Sequence, residues 1–121
     1  MGKKPTRYFS SLQEAHVASL LGGKTTPNSG ATPFFKGDVV AGDFLIECKA
    51  VTSERDSFSV KRGWIEALES ERVGMRKPHC ALAFQFAPQK SGSPANRNYF
   101  VVDEGTFAML LGLYAKDGGS R

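Results

Sequence analysis

The stretch Gly37-Asp38-Val39-Val40-Ala41-Gly42-Asp43-Phe44-Leu45-Ile46-Glu47-Cys48-Lys49 decides how this chain is read. Two β-prone runs, Asp38–Ala41 and Phe44–Lys49, flank Gly42-Asp43, a pair of the kind that closes a two-residue hairpin. Side chains alternate across a strand, so Glu47 and Lys49 share one face, about 6–7 Å apart along it. Ile46, Cys48 and Ala50 take the other face, into apolar packing. The hairpin brings Asp38 beside the first pair. Two carboxylates and one ammonium then converge on one sheet edge. That donor set suits Mg²⁺, which takes one or two carboxylates plus water and phosphate oxygens. Taken singly, Glu-x-Lys is an ordinary solvated strand face, and Asp after Gly is ordinary turn chemistry. The combined spacing D-x(8)-E-x-K across a hairpin, with an apolar face behind it, is what makes the group chemical.

Outward from that stretch, the 121 residues predict one domain, 1–121, with a single core. Composition is that of a globular chain, 40% hydrophobic and 23% charged. No apolar run approaches the roughly 20 residues that span a bilayer. The polar start Met1-Gly2-Lys3-Lys4-Pro5 is unlike a signal peptide, so a cytoplasmic protein without a membrane partner is expected. Sixteen Lys and Arg against twelve Asp and Glu give a net charge of +4. If Glu14, Asp38 and Glu47 engage cations, nine acids (12 − 3) remain against sixteen bases, a surface suited to phosphates. The two cysteines, Cys48 and Cys80, lie in apolar strand-like contexts without any C-x-x-C, which argues against zinc.

Upstream, residues 1–7 read as a basic tail. A helix is predicted from Ser10 or Ser11 to Leu21, ended by Gly22-Gly23. Glu14, Val17, Ala18 and Leu21 share one face of it. A carboxylate on an apolar stripe needs a reason. Either Ser11 and Glu14 form a capping box, or Ser10 and Gln13 form it and release Glu14 for the site. The segment 22–36 is a long polar loop, in which Lys24, Thr25, Thr26, Asn28 and Ser29 could donate to phosphates.

Downstream, 52–57 is a second polar loop, followed by a helix from Ser59 to Val73 with Val60, Trp64 and Leu68 spaced at four. Lys61 and Arg62 in its first turn oppose the helix dipole, which makes sense if a phosphate docks there. A strand at His79–Phe86, an excursion at 87–97 and a strand at Asn98–Val102 come next. Asp103 then caps a last helix, with Phe107, Leu110, Leu111 and Tyr114 on one side, ending near Lys116 before a loose tail, 116–121. The order αββαββα predicts an α/β fold, a mixed central sheet flanked by helices.

On these residues the chain resembles the PD-(D/E)XK nuclease superfamily. Gly37-Asp38-Val39-Val40 and Ile46-Glu47-Cys48-Lys49 carry the likeness, with Phe34-Phe35-Lys36-Gly37 in place of the family's usual Pro before the Asp. Adding Glu14 on the first helix and the loop Asn28-Ser29-Gly30-Ala31, the order is similar to Holliday-junction resolvases of the archaeal and phage type. The resemblance spans roughly residues 8 to 86 and implies a restriction-endonuclease-like core. It implies an Mg²⁺-dependent endonuclease, with Mn²⁺ as a substitute and no small-molecule cofactor. Glu14, Asp38, Glu47 and Lys49 would be catalytic. The metal would be held by Asp38, Glu47, the Cys48 backbone carbonyl and Glu14. Lys24, Ser29, Lys61 and Arg62 would contact DNA. The implied substrate is a four-way junction nicked in pairs by a homodimer, with the last helix and Trp64 as candidate dimer surface. The location would be the host cytoplasm if the chain is phage-encoded. Competing expectations are another small nicking or repair endonuclease of this superfamily, and a DNA-binding protein of the same fold without catalysis.

Overall fold

A computed structural model describes residues 6–26, 38–49, 57–86 and 97–118. Helix α1 (Thr6–Leu21) leads to strand β1 (Lys24–Thr25), then β2 (Val39–Ala41) and β3 (Phe44–Lys49). Helix α2 (Arg62–Gly74), strands β4 (His79–Gln85) and β5 (Asn98–Val101), and helix α3 (Glu104–Lys116) complete the order. The five strands form one sheet in the order β1-β2-β3-β4-β5. Only β3 and β4 run parallel, so the sheet is mixed, and α2 is the crossover between them. The α/β class read from the sequence holds. No helix among the described residues is long and apolar enough to cross a membrane.

Alternation along the strands builds two apolar layers. On the α1 side, Val17 and Ala18 pack with Val39, Ile46, Cys48, Ala81 and Ala83. On the α2 side, Leu68 packs with Leu45, Cys80 and Leu82, flanked by Val40, Trp64, Phe84 and Val101. Strand β4 is covered on both faces, which is why it reads as an unbroken apolar run. Leu45 and Leu82 are fully buried, and truncating either to Ala should cost about 2–5 kcal/mol.

The hairpin turn is at Gly42-Asp43, where Gly42 alone takes a positive φ (57°), the glycine-first pattern of a type II′ turn. Gly22 (φ 68°) ends α1, and Gly23 lies so close to β2 that a Cβ there would strike the Val40 carbonyl.

Several sequence-based boundaries move. Helix α1 begins at Thr6, not at Ser10 or Ser11, and so takes in Thr6 and Arg7 of the segment read as a basic tail. Thr6 to Phe9 contains no Gly or Pro to stop the helix propagating. Ser10 and Ser11 therefore lie within the helix and not at its N-cap, where the expected capping boxes would need one of them. Helix α2 begins at Arg62 rather than Ser59, with Lys61 extended (φ −86°, ψ 136°) at its N-cap. Phe58, just upstream, stacks on Phe84 at 4.3 Å. Part of the segment read as loop pairs with β2 as β1. Helix α3 is capped by Asp103 as expected, its carboxylate accepting from the Gly105 N–H and the Thr106 hydroxyl. Its apolar side is not core, however: Phe107, Leu110, Leu111, Leu113 and Tyr114 are exposed.

Candidate active site

The site is built where β2 meets β3. Register pairs Val39 with Ile46, yet the Asp38 N–H also donates to the Ile46 carbonyl at 3.0 Å. Two residues of one strand thus face one of the other, the count of a β-bulge, which bends a strand and re-aims its side chains. The Asp38 carboxylate consequently turns onto β3, where Oδ2 accepts from the Cys48 N–H at 2.7 Å. A strand residue's N–H and C=O point to the same side. The Cys48 carbonyl therefore projects toward the same edge as Asp38.

Glu47 and Lys49 point to the α2 face, since Cys48 between them packs toward α1. Lys49 Nζ stands 3.4 Å from Glu47 Oε2 and 4.4 Å from the centre of the Trp64 ring. An ion pair on one side and an aromatic face on the other fix the ammonium. Lys61 Nζ lies 5.5 Å from the same ring.

Electrostatically the site is under tension. Burial pushes the Asp38 carboxyl up to about 6, with Glu71 raising it further, against the lowering effects of the Cys48 N–H and Lys49. Glu47 is pushed up to about 7, by burial first and then by Asp38 and Glu71, with Lys49 opposing. A buried pair of like charges is costly unless a cation joins it. Cys48 is pushed well above the ordinary thiol range, by burial and then by Asp38, Glu14 and Glu47.

Glu14 therefore lies near Cys48, whose side chain faces α1, while Glu47 and Lys49 face α2. Its place in the third turn of α1 excludes the helix-capping role. Residue 13 beside it, Gln13, is 2% exposed and ties α1 to the sheet, donating to the Ala83 carbonyl and to Asn98 Oδ1. Lys24 is exposed on β1 and, paired with Val40, shares the α2 face at the outer edge. Next along, the Thr26 N–H donates to the Asp38 carbonyl. Arg62 is exposed and pairs with Glu66 at 3.4 Å, so it belongs to the solvated side of α2. Ser29 lies outside the described residues.

Glu71 was missed in the sequence. Trp64, Leu68, Glu71 and Met75 follow the spacing of one helix face, so a carboxylate on an apolar stripe marked it, as it marked Glu14. Among the described residues no three His, Cys, Asp or Glu side chains are grouped to hold one ion. Asp38 and Glu47, with the Cys48 carbonyl, are the donor set at this edge. No family model, curated protein or solved structure matches the chain.

Proposed function

We propose that this chain is a metal-dependent endodeoxyribonuclease with a restriction-endonuclease-like core, acting on four-way DNA junctions. The observation that carries the nuclease reading is the pairing of buried Asp38 with half-buried Glu47, both carboxyls raised by desolvation, beside an ammonium held on Trp64. That pair fits Mg²⁺ chemically. A divalent ion would relieve the repulsion, and the Cys48 carbonyl projects to the same edge to add a neutral oxygen. Bound there, the ion would lower the pKa of its water and polarise the phosphoryl oxygen. Mn²⁺ would serve in its place.

The chain's own residues supply the rest. Asp38 and Glu47 would hold the ion as carboxylates, any proton still on them passing to solvent. Lys49 presents a fixed positive charge where negative charge builds on the phosphate oxygens, with no reorganisation at the moment of reaction. The junction preference rests on resemblance alone: the small size of the chain, Glu14 on the first helix and the Ser29-Gly30 sequence ahead of Asp38. A junction has two-fold symmetry, so paired nicking asks for a homodimer, and the exposed apolar side of α3 offers surface for one.

The test is incubation with a four-way junction, a linear duplex and a single strand, with and without Mg²⁺. Mg²⁺-dependent paired nicks in the junction support the reading. Cutting of all substrates alike would leave a nuclease without the junction preference, and binding without cutting would overturn catalysis.

A further inference from the structure

Strand register carries Lys49 onto Phe84 and Phe84 onto Tyr99, so the three side chains form one row across β3, β4 and β5 on the α2 face. The rings in and beside this row are contiguous. Phe58 is 5.9 Å from Trp64 and stacks flat on Phe84 at 4.3 Å, with 9° between planes. Phe84 lies 5.7 Å from both Phe86 and Tyr99, and those two are 5.9 Å apart. Core packing explains the half-buried inner rings, which close the α2 layer. It does not explain the outer two: Phe86 is 37% exposed and Tyr99 45%.

We propose that Phe86 and Tyr99 form a platform on which unstacked bases of single-stranded DNA rest beside the catalytic edge. Every base has a π-face, and aromatic side chains next to a cationic track are how proteins hold single strands. Both parts are here. Lys49 and Lys61 flank Trp64 at one end of the ring series, and exposed Arg97 precedes Tyr99 by two residues at the other. A continuous duplex keeps its base faces stacked and cannot use the platform. The strand near the cut is thus one whose bases are splayed, as at a branch point. Cleavage beside the platform rests on the nuclease reading, whereas the stacking does not.

The experiment uses the full chain without Mg²⁺, titrated into a labelled oligothymidine and, separately, a labelled duplex, with anisotropy as readout. A single strand carrying 2-aminopurine reports stacking directly through quenching. Tyr99→Leu and Phe86→Leu keep apolar bulk but lose the ring, and Tyr99→Phe keeps it. Each Leu variant should bind the single strand roughly 5- to 150-fold more weakly, the range for one stacked base, with duplex binding unchanged. Tyr99→Phe should bind and quench as the wild type does. Single-strand affinity unchanged in both Leu variants, or an equal loss on duplex, would overturn the platform. Cleavage is scored apart. If the wild type quenches 2-aminopurine but cuts nothing with Mg²⁺, the platform stands and the nuclease reading fails. If it cuts junctions while the Leu variants bind normally, the reverse holds.

Discussion

Asp38 Oδ2 accepts a hydrogen bond from the backbone N–H of Cys48 at 2.7 Å, and that bond locks the carboxylate of one strand onto the next. It holds the Asp38 carboxylate in place before any ion arrives. Asp38→Asn and Glu47→Gln should each abolish Mg²⁺-dependent cleavage while DNA binding, measured by anisotropy, stays within a few-fold of wild type. Full cleavage by either variant would remove these residues from the chemistry.

The same pair sets how stability responds to pH. Unfolded, both carboxyls ionise in the ordinary carboxylate range, near 4. Folded, they hold their protons to about 6 and about 7. The native state thus binds more protons between these limits, so this contribution is present at low pH and is lost as pH rises through 7. Without metal, the doubly substituted Asp38→Asn, Glu47→Gln protein should be more stable than wild type at pH 8, by on the order of 3 kcal/mol, and near equal at pH 4. Thermal melts at the two pH values check it. Mg²⁺ should raise the melting temperature of wild type at pH 8 and leave the variant unmoved.

Lys49→Ala should reduce single-turnover cleavage about 10²–10³-fold, the usual loss for one preorganised charge-stabilising group. Mg²⁺ affinity, measured by calorimetry, should not fall. A collapse of metal binding would make the ion pair with Glu47 structural instead.

Glu71→Gln removes a negative charge that raises both Asp38 and Glu47. The pH profile of cleavage should move to lower pH, because the two carboxyls then ionise earlier. Glu14→Gln keeps the side chain's size and hydrogen-bonding capacity, so the melting temperature should hardly change while cleavage falls sharply. An unshifted profile in the first variant, or wild-type cleavage in the second, would strike that residue from the site.

Both thiols should be inert in the native protein. Cys80 is pushed up to about 12, by burial first and then by Glu69, whose Oε2 accepts from its Sγ, and Cys48 is raised further still. Thiolate is the reactive form. A disulfide-exchange reagent at pH 7.5 should label neither within minutes, and both once denaturant is added. Rapid native labelling would contradict the burial of these side chains.

The sequence by itself determined the α/β class, the Gly42-Asp43 hairpin, the Asp103 cap and the sharing of one face by Glu47 and Lys49. Each follows from local rules: a two-residue period, a turn that needs a positive φ, a side chain that reaches its own backbone. Only the tertiary structure decided the rest. The bulge that turns Asp38 onto Cys48 depends on how two strands pair, not on what either contains. Phe58 stacks on Phe84, a ring on a strand beyond the helix it precedes. Glu71 reached the carboxylate pair because α2 crosses over β3 and β4. The row Lys49, Phe84, Tyr99 exists because three strands distant in the chain fall into one register. These are contacts between distant residues, and local spacing carries no information about them.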